Sequence, residues 1–205
     1  MNIEVKNSVK LIDYKESMKF LDNRVEGVIS GKENELVWVL EHKIAYTAGK
    51  NSNPKHLINK KIKVIQTKRG GKHTLHAPGQ KVIYFVLDLN KRGKDIRKLL
   101  RKVELCMIKV LEEYKIKSFA DAKNIGIWVG TKKNPKKVGS IGIRVKRWVA
   151  YHGFSLNVTN NLSYYKNIKA CGNEYNKITN LTNFSDNNYK NINKIIIKKF
   201  LNIFA

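Results

Sequence analysis

The chain has little cysteine, little proline, no long apolar run and a marked shortage of negative charge. Two cysteines, Cys106 and Cys171, in 205 residues do not make the disulfide framework of a small secreted domain, and they read as thiols in a reducing compartment. No stretch approaches the roughly 18 consecutive apolar residues of a membrane span. The opening MNIEVKNSVKLIDYKESMKF lacks an apolar core of signal-peptide length, so a cytosolic chain with no membrane partner is expected. From Asn124 to Asn173 there is no Asp or Glu at all. A carboxylate pair for glycoside hydrolysis and a carboxylate cage for Mg²⁺ or Ca²⁺ therefore have no ligands in that half. Neither G-x-x-x-x-G-K-[ST] nor a strand-anchored G-x-G-x-x-G occurs, which leaves a Walker or Rossmann nucleotide site unsupported. The histidines, His42, His56, His73, His76 and His152, lack H-x-x-x-H spacing and no C-x-x-C accompanies them, so no metal site is expected.

What is present is positive charge: 41 Lys and Arg against 16 Asp and Glu, a formal net +25. Such a field draws in polyanions and makes association sensitive to salt. The excess is mostly lysine and comes with abundant asparagine and isoleucine, so compositional bias is one reading and an acidic protein partner another. No RNP-like aromatic strand and no zinc-ligand spacing supports a nucleic-acid partner.

A hydrophobic content of 42% suffices for one real core, and no linker divides the chain, so a single domain over 1–205 is expected. Tyr14, Met18, Leu21, Val25 and Val28 recur at steps of three and four and predict a helix over 14–29. Asp95 is an N-cap for a second helix whose stripe runs Ile96, Leu99, Leu100, Val103, Cys106, Met107, Val110, Leu111 and Tyr114. Cys106 sits inside that stripe and reads as core. A third amphipathic helix carries Tyr189, Ile192, Ile195, Ile196, Phe200 and Phe204. Between them, ELVWVLEH (35–42), KIKVIQT (61–67), KVIYFVLDL (81–89), NIGIWVG, KVGSIGIRVKRW and AYHGFSLNV read as strands, with TKKNPKK as a turn. The pattern predicts an α/β (α+β) domain on a mixed, largely antiparallel sheet flanked by helices.

Two features could carry chemistry. Cys171, in IKACGNEY, lies outside every apolar stripe and precedes a glycine; it is either a nucleophile whose thiolate a nearby ammonium favours or a turn cysteine without chemistry. In RGGKHTLHAPGQ (69–80), Gly70-Gly71 and Pro78-Gly79 permit close backbone approach, so the loop either cradles a carbonyl oxygen with its amides or is a tight hairpin with His73 and His76 merely solvated.

RGGKHTLHAPGQKVIYFVLDL, KKVGSIGIRVKRWVAYHGFSLNV and ACG, with LVWVLEHKIAYTAGK at 36–50, resemble in order the lipoyl(octanoyl) transferase family, the octanoyl-[acyl carrier protein]:protein N-octanoyltransferases. The resemblance runs from about residue 14 to 173. It implies a fold like the catalytic domains of biotin and lipoate protein ligases, no cofactor, and a Cys171–Lys137 dyad, Lys137 being the lysine before VGSIG. The acyl pocket it implies is lined by Arg69, Gly70, Gly71, Lys72, His73, Thr74, Leu75 and His76, by Ser140, Ile141 and Gly142, and by Gly153, Phe154 and Ser155. It implies octanoyl-acyl carrier protein as donor, and as acceptors the lipoyl domains of 2-oxoacid dehydrogenases and the glycine cleavage H protein. Carriers and lipoyl domains of this kind are acidic, and Lys132, Lys133, Lys136, Arg144, Lys146 and Arg147 are candidates to steer them. The sequence departs from the family at His73, Ala77, Ala170 and Lys43-Ile44. An ATP-dependent lipoate or biotin ligase shares the implied fold. A non-catalytic basic binding module and a cysteine hydrolase also compete with the transferase reading.

Overall fold

The computed structural model describes residues 2–172 and 175–205, with Cys171 described by its backbone. Its frame is a seven-stranded sheet in the order β1-β2-β6-β10-β9-β8-β7: β1 Ile3–Asn7, β2 Glu35–Leu40, β6 Gln80–Asp88, β7 Ser118–Ala120, β8 Ile127–Thr131, β9 Asn134–Lys146 and β10 Val149–Asn157. β1 runs parallel to β2 and every other neighbour is antiparallel. A smaller sheet, β4-β3-β5, is built from β3 Ala45–Ala48, β4 Val64–Gln66 and β5 His73–His76.

Period-two alternation divides the large sheet's side chains between two cores. Val37, Val39, Ile83, Phe85 and Leu87 face one side, which α2 (Ile96–Glu112) and α3 (Ile192–Phe204) cover. Leu36, Trp38, Leu40, Val82, Tyr84 and Val86 face the other, under α1 (Tyr14–Ile29). All three predicted helices are present, and two begin at aspartate caps, of which the sequence announced Asp95. Asp13 accepts from Lys15 N at 2.8 Å and Asp95 from Lys98 N at 2.8 Å, satisfying amides that the helix itself leaves open. Cys106 is fully buried against this core, and burial pushes its thiol up to about 12.

Several strands differ from expectation. The small sheet departs from the sequence pattern: 69–80, expected as loop, contains β5, and the strand expected over 61–67 is limited to Val64–Gln66. The turn expected over TKKNPKK is tighter, because Pro135 pairs with Gly130 and only Lys132-Lys133 bridge the strands. β9 and β10 are joined by Arg147-Trp148, both at positive φ (46° and 63°), a two-residue hairpin made without the usual Asn-Gly.

A buried ion pair fixes the far edge. Glu35 on β2 holds Arg92 through both carboxylate oxygens, and Arg92 Nη2 also donates to Phe204 O at 3.0 Å, one of α3's terminal carbonyls. Glu35 is 4% exposed, so Arg92→Met leaves a buried carboxylate without its counter-charge. A loss of about 3 kcal/mol of urea-unfolding stability is expected; an unchanged unfolding midpoint would show that the pair is dispensable.

Candidate active site

The site lies where the small sheet is pressed onto the α1 face of the large one. The segment before β5 makes that junction. Gly70 N donates to Ile143 O of β9 at 3.2 Å, and the buried Arg69 guanidinium reaches back to β3, donating to Thr47 Oγ1 at 2.8 Å and Thr47 O at 3.3 Å. Between the sheets lies a cavity holding roughly 470 Å³ of empty space, its open mouth included.

Its floor is the β9–β10 pair. Ser140 is opposite Ser155 and Gly142 opposite Gly153 on the α1 face, while Ile141 and Phe154 turn into the opposite core and offer their backbone. The facing glycines let neighbouring groups approach the floor closely: Arg69 Cδ lies 3.2 Å from where a β-carbon on Gly142 would stand. At Gly153, φ is +158° and a β-carbon would sit 1.9 Å from Ile83 O, so no other residue fits. The preceding His152 adopts φ 67°, which breaks the strand's alternation and turns its ring onto the α1 face. There it stacks on Tyr151 at 4.9 Å and is met edge-on by Tyr84 at 6.5 Å.

A buried ring cluster closes one end. Tyr14 stacks on His76 at 5.6 Å, and His42 lies 5.3 Å from both. His42 Nδ1 contacts Ile12 O at 2.9 Å; a carbonyl only accepts, so Nδ1 carries the proton and Nε2 accepts the Tyr84 hydroxyl at 2.8 Å. Gln80 gives its amide nitrogen to Leu75 O, Asn157 Oδ1 and Tyr165 Oη, so its oxygen accepts from His76 Nδ1 at 2.8 Å. Desolvation keeps all three imidazoles neutral. Burial takes His42 down to about 4, and takes His76 well below its usual value with help from His42. His152 falls to about 3, through burial first and then the charges of Arg69 and Arg144. Burial also raises the Tyr14 and Tyr84 hydroxyls.

At the other end is a lysine. Lys137 on β9 is 5% exposed, and its Nζ donates to Ile125 O at 2.8 Å over the Trp128 ring. Gly126, at φ +137°, makes room for it, since a β-carbon there would lie 2.5 Å from Lys137 Cε. A smaller cavity brings Lys137 together with Ser140, Asn157, Tyr165, Ala170 and Ile178. Ser140 lines both cavities, and Ala170 opens the single helical turn Ala170–Gly172 that contains Cys171. Lys72 reaches the same turn, its Nζ 2.8 Å from where a β-carbon on Gly172 would stand.

Residues 13–201 match the family described as the lipoyl protein ligase A/B catalytic domain. The chain belongs to that family. Its relatives include the octanoyltransferase of Anaplasma marginale (strain Florida), 37% identical over 205 residues, 98% of this chain and 96% of that one. Another is the octanoyltransferase of Wolbachia pipientis wMel, 40% identical over 166 residues, 80% and 81% of the two chains. Among solved structures, a lipoate-protein ligase A bound with ATP superposes with a TM-score of 0.71 at 14% identity, covering 98% of this chain and 85% of that one. The Aquifex aeolicus biotin protein ligase gives 0.56 at 13% identity, covering 99% and 69%. At these identities the structures establish a shared fold, the mixed α/β architecture expected from the sequence.

Within this ligase A/B domain the structure gathers most of the residues that the sequence pointed to. Arg69, Gly71, Lys72, Thr74, His76, Ser140, Ile141, Gly142, Gly153, Phe154 and Ser155 line the larger cavity. Strand alternation divides the rest. His73 and Leu75 project from the other face of β5, Leu75 into a separate cluster with Tyr46, Ala77 and Tyr165, and Gly70 is committed to Ile143. The picture of solvated histidines is incorrect, since His73 and His76 are both buried within β5. The Cys171 thiol lies outside the described residues. Sequence reasoning passed over Tyr14, Val82, Tyr84 and His152 as lining residues, and His42 behind them. Tyr14 and Tyr84 looked like ordinary core positions; the one local signal was a His-Gly pair in mid-strand at 152–153.

The neutral imidazoles make stability acid-sensitive. Their folded-state pKa values lie below the unfolded value of about 6.5, so as pH falls the unfolded chain binds protons first. The contribution is complete above about pH 6.5 and is lost as pH falls through about 4 for His42 and about 3 for His152. The urea midpoint is expected to drop between pH 7 and pH 4, and His42→Gln to flatten that slope. A wild-type midpoint independent of pH over this window would contradict it.

Proposed function

We propose that this chain is an octanoyltransferase, carrying an octanoyl group from a carrier thioester to a lysine of a lipoyl domain through a Cys171 acyl-enzyme, as a single catalytic domain over 1–205. The observation that carries the reading is the juxtaposition of cavities: Ser140 joins the cavity between the sheets to the one that Lys137 shares with Ala170, the residue before Cys171. The octanoyltransferase relatives supply the reaction class.

In the first half-reaction the Cys171 thiolate attacks the thioester carbonyl. The carbon–sulfur bond to the carrier breaks, the carrier thiolate leaves, and Lys137 moves the proton from one sulfur to the other. Lys72, close to the Ala170–Gly172 turn, adds a second ammonium that favours the thiolate. Gly70 N–H is already donated to Ile143 O, which leaves the amides of Gly71 and Lys72 as the loop's donors to the tetrahedral oxyanion. In the second half-reaction the acceptor's lysine amine attacks the acyl-enzyme. A carbon–nitrogen bond replaces the bond to Cys171, and Lys137 takes the amine proton. Thioester to thioester is nearly balanced and thioester to amide runs downhill, so this route has no step that consumes ATP.

Acyl carrier protein as donor, and the lipoyl domains of 2-oxoacid dehydrogenases and the glycine cleavage H protein as acceptors, belong to the same proposal. Basic residues support acidic partners, but not as one patch. Lys132, Lys133 and Lys136 stand at the start of β9, near the Cys171 end, whereas Arg144, Lys146 and Arg147 stand at its far end. Lys146 there is engaged by Glu26. The proposed setting is the cytosol, where a reducing medium keeps Cys171 a thiol; among the described residues no helix is long and apolar enough to cross a membrane.

Intact-mass spectrometry after mixing with octanoyl-carrier protein is the test. Wild type is expected to gain one hydroxylamine-sensitive octanoyl group, more slowly as salt is added. Cys171→Ser is expected to gain no such group and Lys137→Ala to gain it at least about a hundredfold more slowly. Carrier binding without any adduct would overturn the covalent route and favour the ATP-dependent ligase or the non-catalytic binding module.

A further inference from the structure

The acyl cavity has two ends of different character. The end at Lys72 and Ser140 adjoins the Cys171 turn and the Lys137 cavity. The opposite end is bounded by Tyr14 and His152, and these two residues also line a second cavity, of roughly 610 Å³ of empty space with its opening, between α1 and β4. The two rings therefore stand between the cavities. Both are braced: His152 stacks on Tyr151 and Tyr14 on His76. The approach to this end passes Val82, Tyr84 and the facing glycines 142 and 153 beside the buried Arg69 side chain, whereas the second cavity carries Lys15, Asp22, Lys68 and Arg144 together with Met18 and Ile65. Among the described residues His152 Nδ1 finds no hydrogen-bond partner, and a positive φ turns the ring into this position.

We propose that the Tyr14 and His152 rings are the end stop of the acyl cavity and set the longest fatty-acyl chain this domain accepts. The proposal rests on the acyl-transfer reading. An acyl chain bound by its thioester at the Cys171 end runs past Val82 and Tyr84 and meets the rings; one or two further methylenes would have to displace a stacked ring or enter a charged groove. In a closed hydrophobic pocket one methylene changes the rate roughly 10- to 200-fold, so a rigid wall gives a sharp length limit. His152 is a specificity-determining residue on this account and takes no part in proton transfer, consistent with a ring that burial keeps neutral.

The test compares hexanoyl-, octanoyl-, decanoyl- and dodecanoyl-carrier protein as donors, following acyl-enzyme formation by intact mass in wild type, His152→Gly and His152→Asn. Glycine and asparagine both tolerate positive φ, so the ring is lost while the backbone keeps its conformation, and the asparagine variant answers if the glycine one does not fold. Wild type is expected to take dodecanoyl at least about tenfold more slowly than octanoyl. The dodecanoyl-to-octanoyl rate ratio is expected to rise about tenfold or more in His152→Gly, with His152→Asn between. A ratio unchanged by either variant, or a wild type that takes dodecanoyl as fast as octanoyl, overturns the end stop while leaving acyl transfer intact. Absence of an adduct with every donor on wild type overturns the reading beneath it as well.

Discussion

The buried guanidinium of Arg69 is the rivet on which the site depends. It crosses from the approach to β5 back to Thr47 on β3, and its own carbonyl neighbour, Gly70 O, accepts from Nη1 at 3.0 Å. The adjoining Gly70 amide is bound to β9. The Arg69 bonds hold the approach to β5 against β3, and the Gly70 amide ties that approach to the β9–β10 floor. A charge buried so deeply also acts on its surroundings: it helps hold His152, His76 and His73 below their usual values and opposes the rise in the Tyr14 hydroxyl. Burial is the larger cause in each case, and the Arg69 charge adds to it for the imidazoles.

A neutral wall suits an apolar guest. Three imidazoles and two phenols would form a poor binding surface for a hydrocarbon chain if they were charged or restless. Here Tyr14 is stacked on His76 and His152 on Tyr151, His42 and Tyr84 pack at a tilt, and His42 and His76 are tied to Ile12, Tyr84 and Gln80 by hydrogen bonds. Two lysines lie at the other end, where Lys137 is held over Trp128 and Lys72 approaches the Ala170–Gly172 turn.

Much of this was legible in the sequence, and what was not has physical reasons. α1 and α2 were readable because each buries one face, and burial writes a period into the residues, while β2 and β6, buried on both faces, stood out as apolar runs. β3 and β5 were not, because Ala45–Ala48 and His73–His76 are short and carry histidine, threonine and alanine in place of such a run. The split of 69–76 between cavity and core follows from β5 being a strand, so a reading of it as loop could not separate Thr74 and His76 from His73 and Leu75. His152 escaped notice because its placement depends on one backbone torsion that no residue pattern announces. Cys171 stood out as a cysteine outside every apolar stripe, whereas Lys137 came from a likeness to a family; periodicity alone would have left the lysine among 41 basic residues.

The account's central claim is that this ligase-like fold transfers an activated acyl group without activating it. The most direct measurement supplies purified protein, octanoyl-carrier protein and a lipoyl domain with no nucleotide present, and follows the acceptor lysine by mass spectrometry. The account predicts an octanoyl amide on that lysine, formed equally well with and without ATP. Octanoylation that appears only when ATP is added, or release of free octanoate with the lysine unmodified, would contradict it.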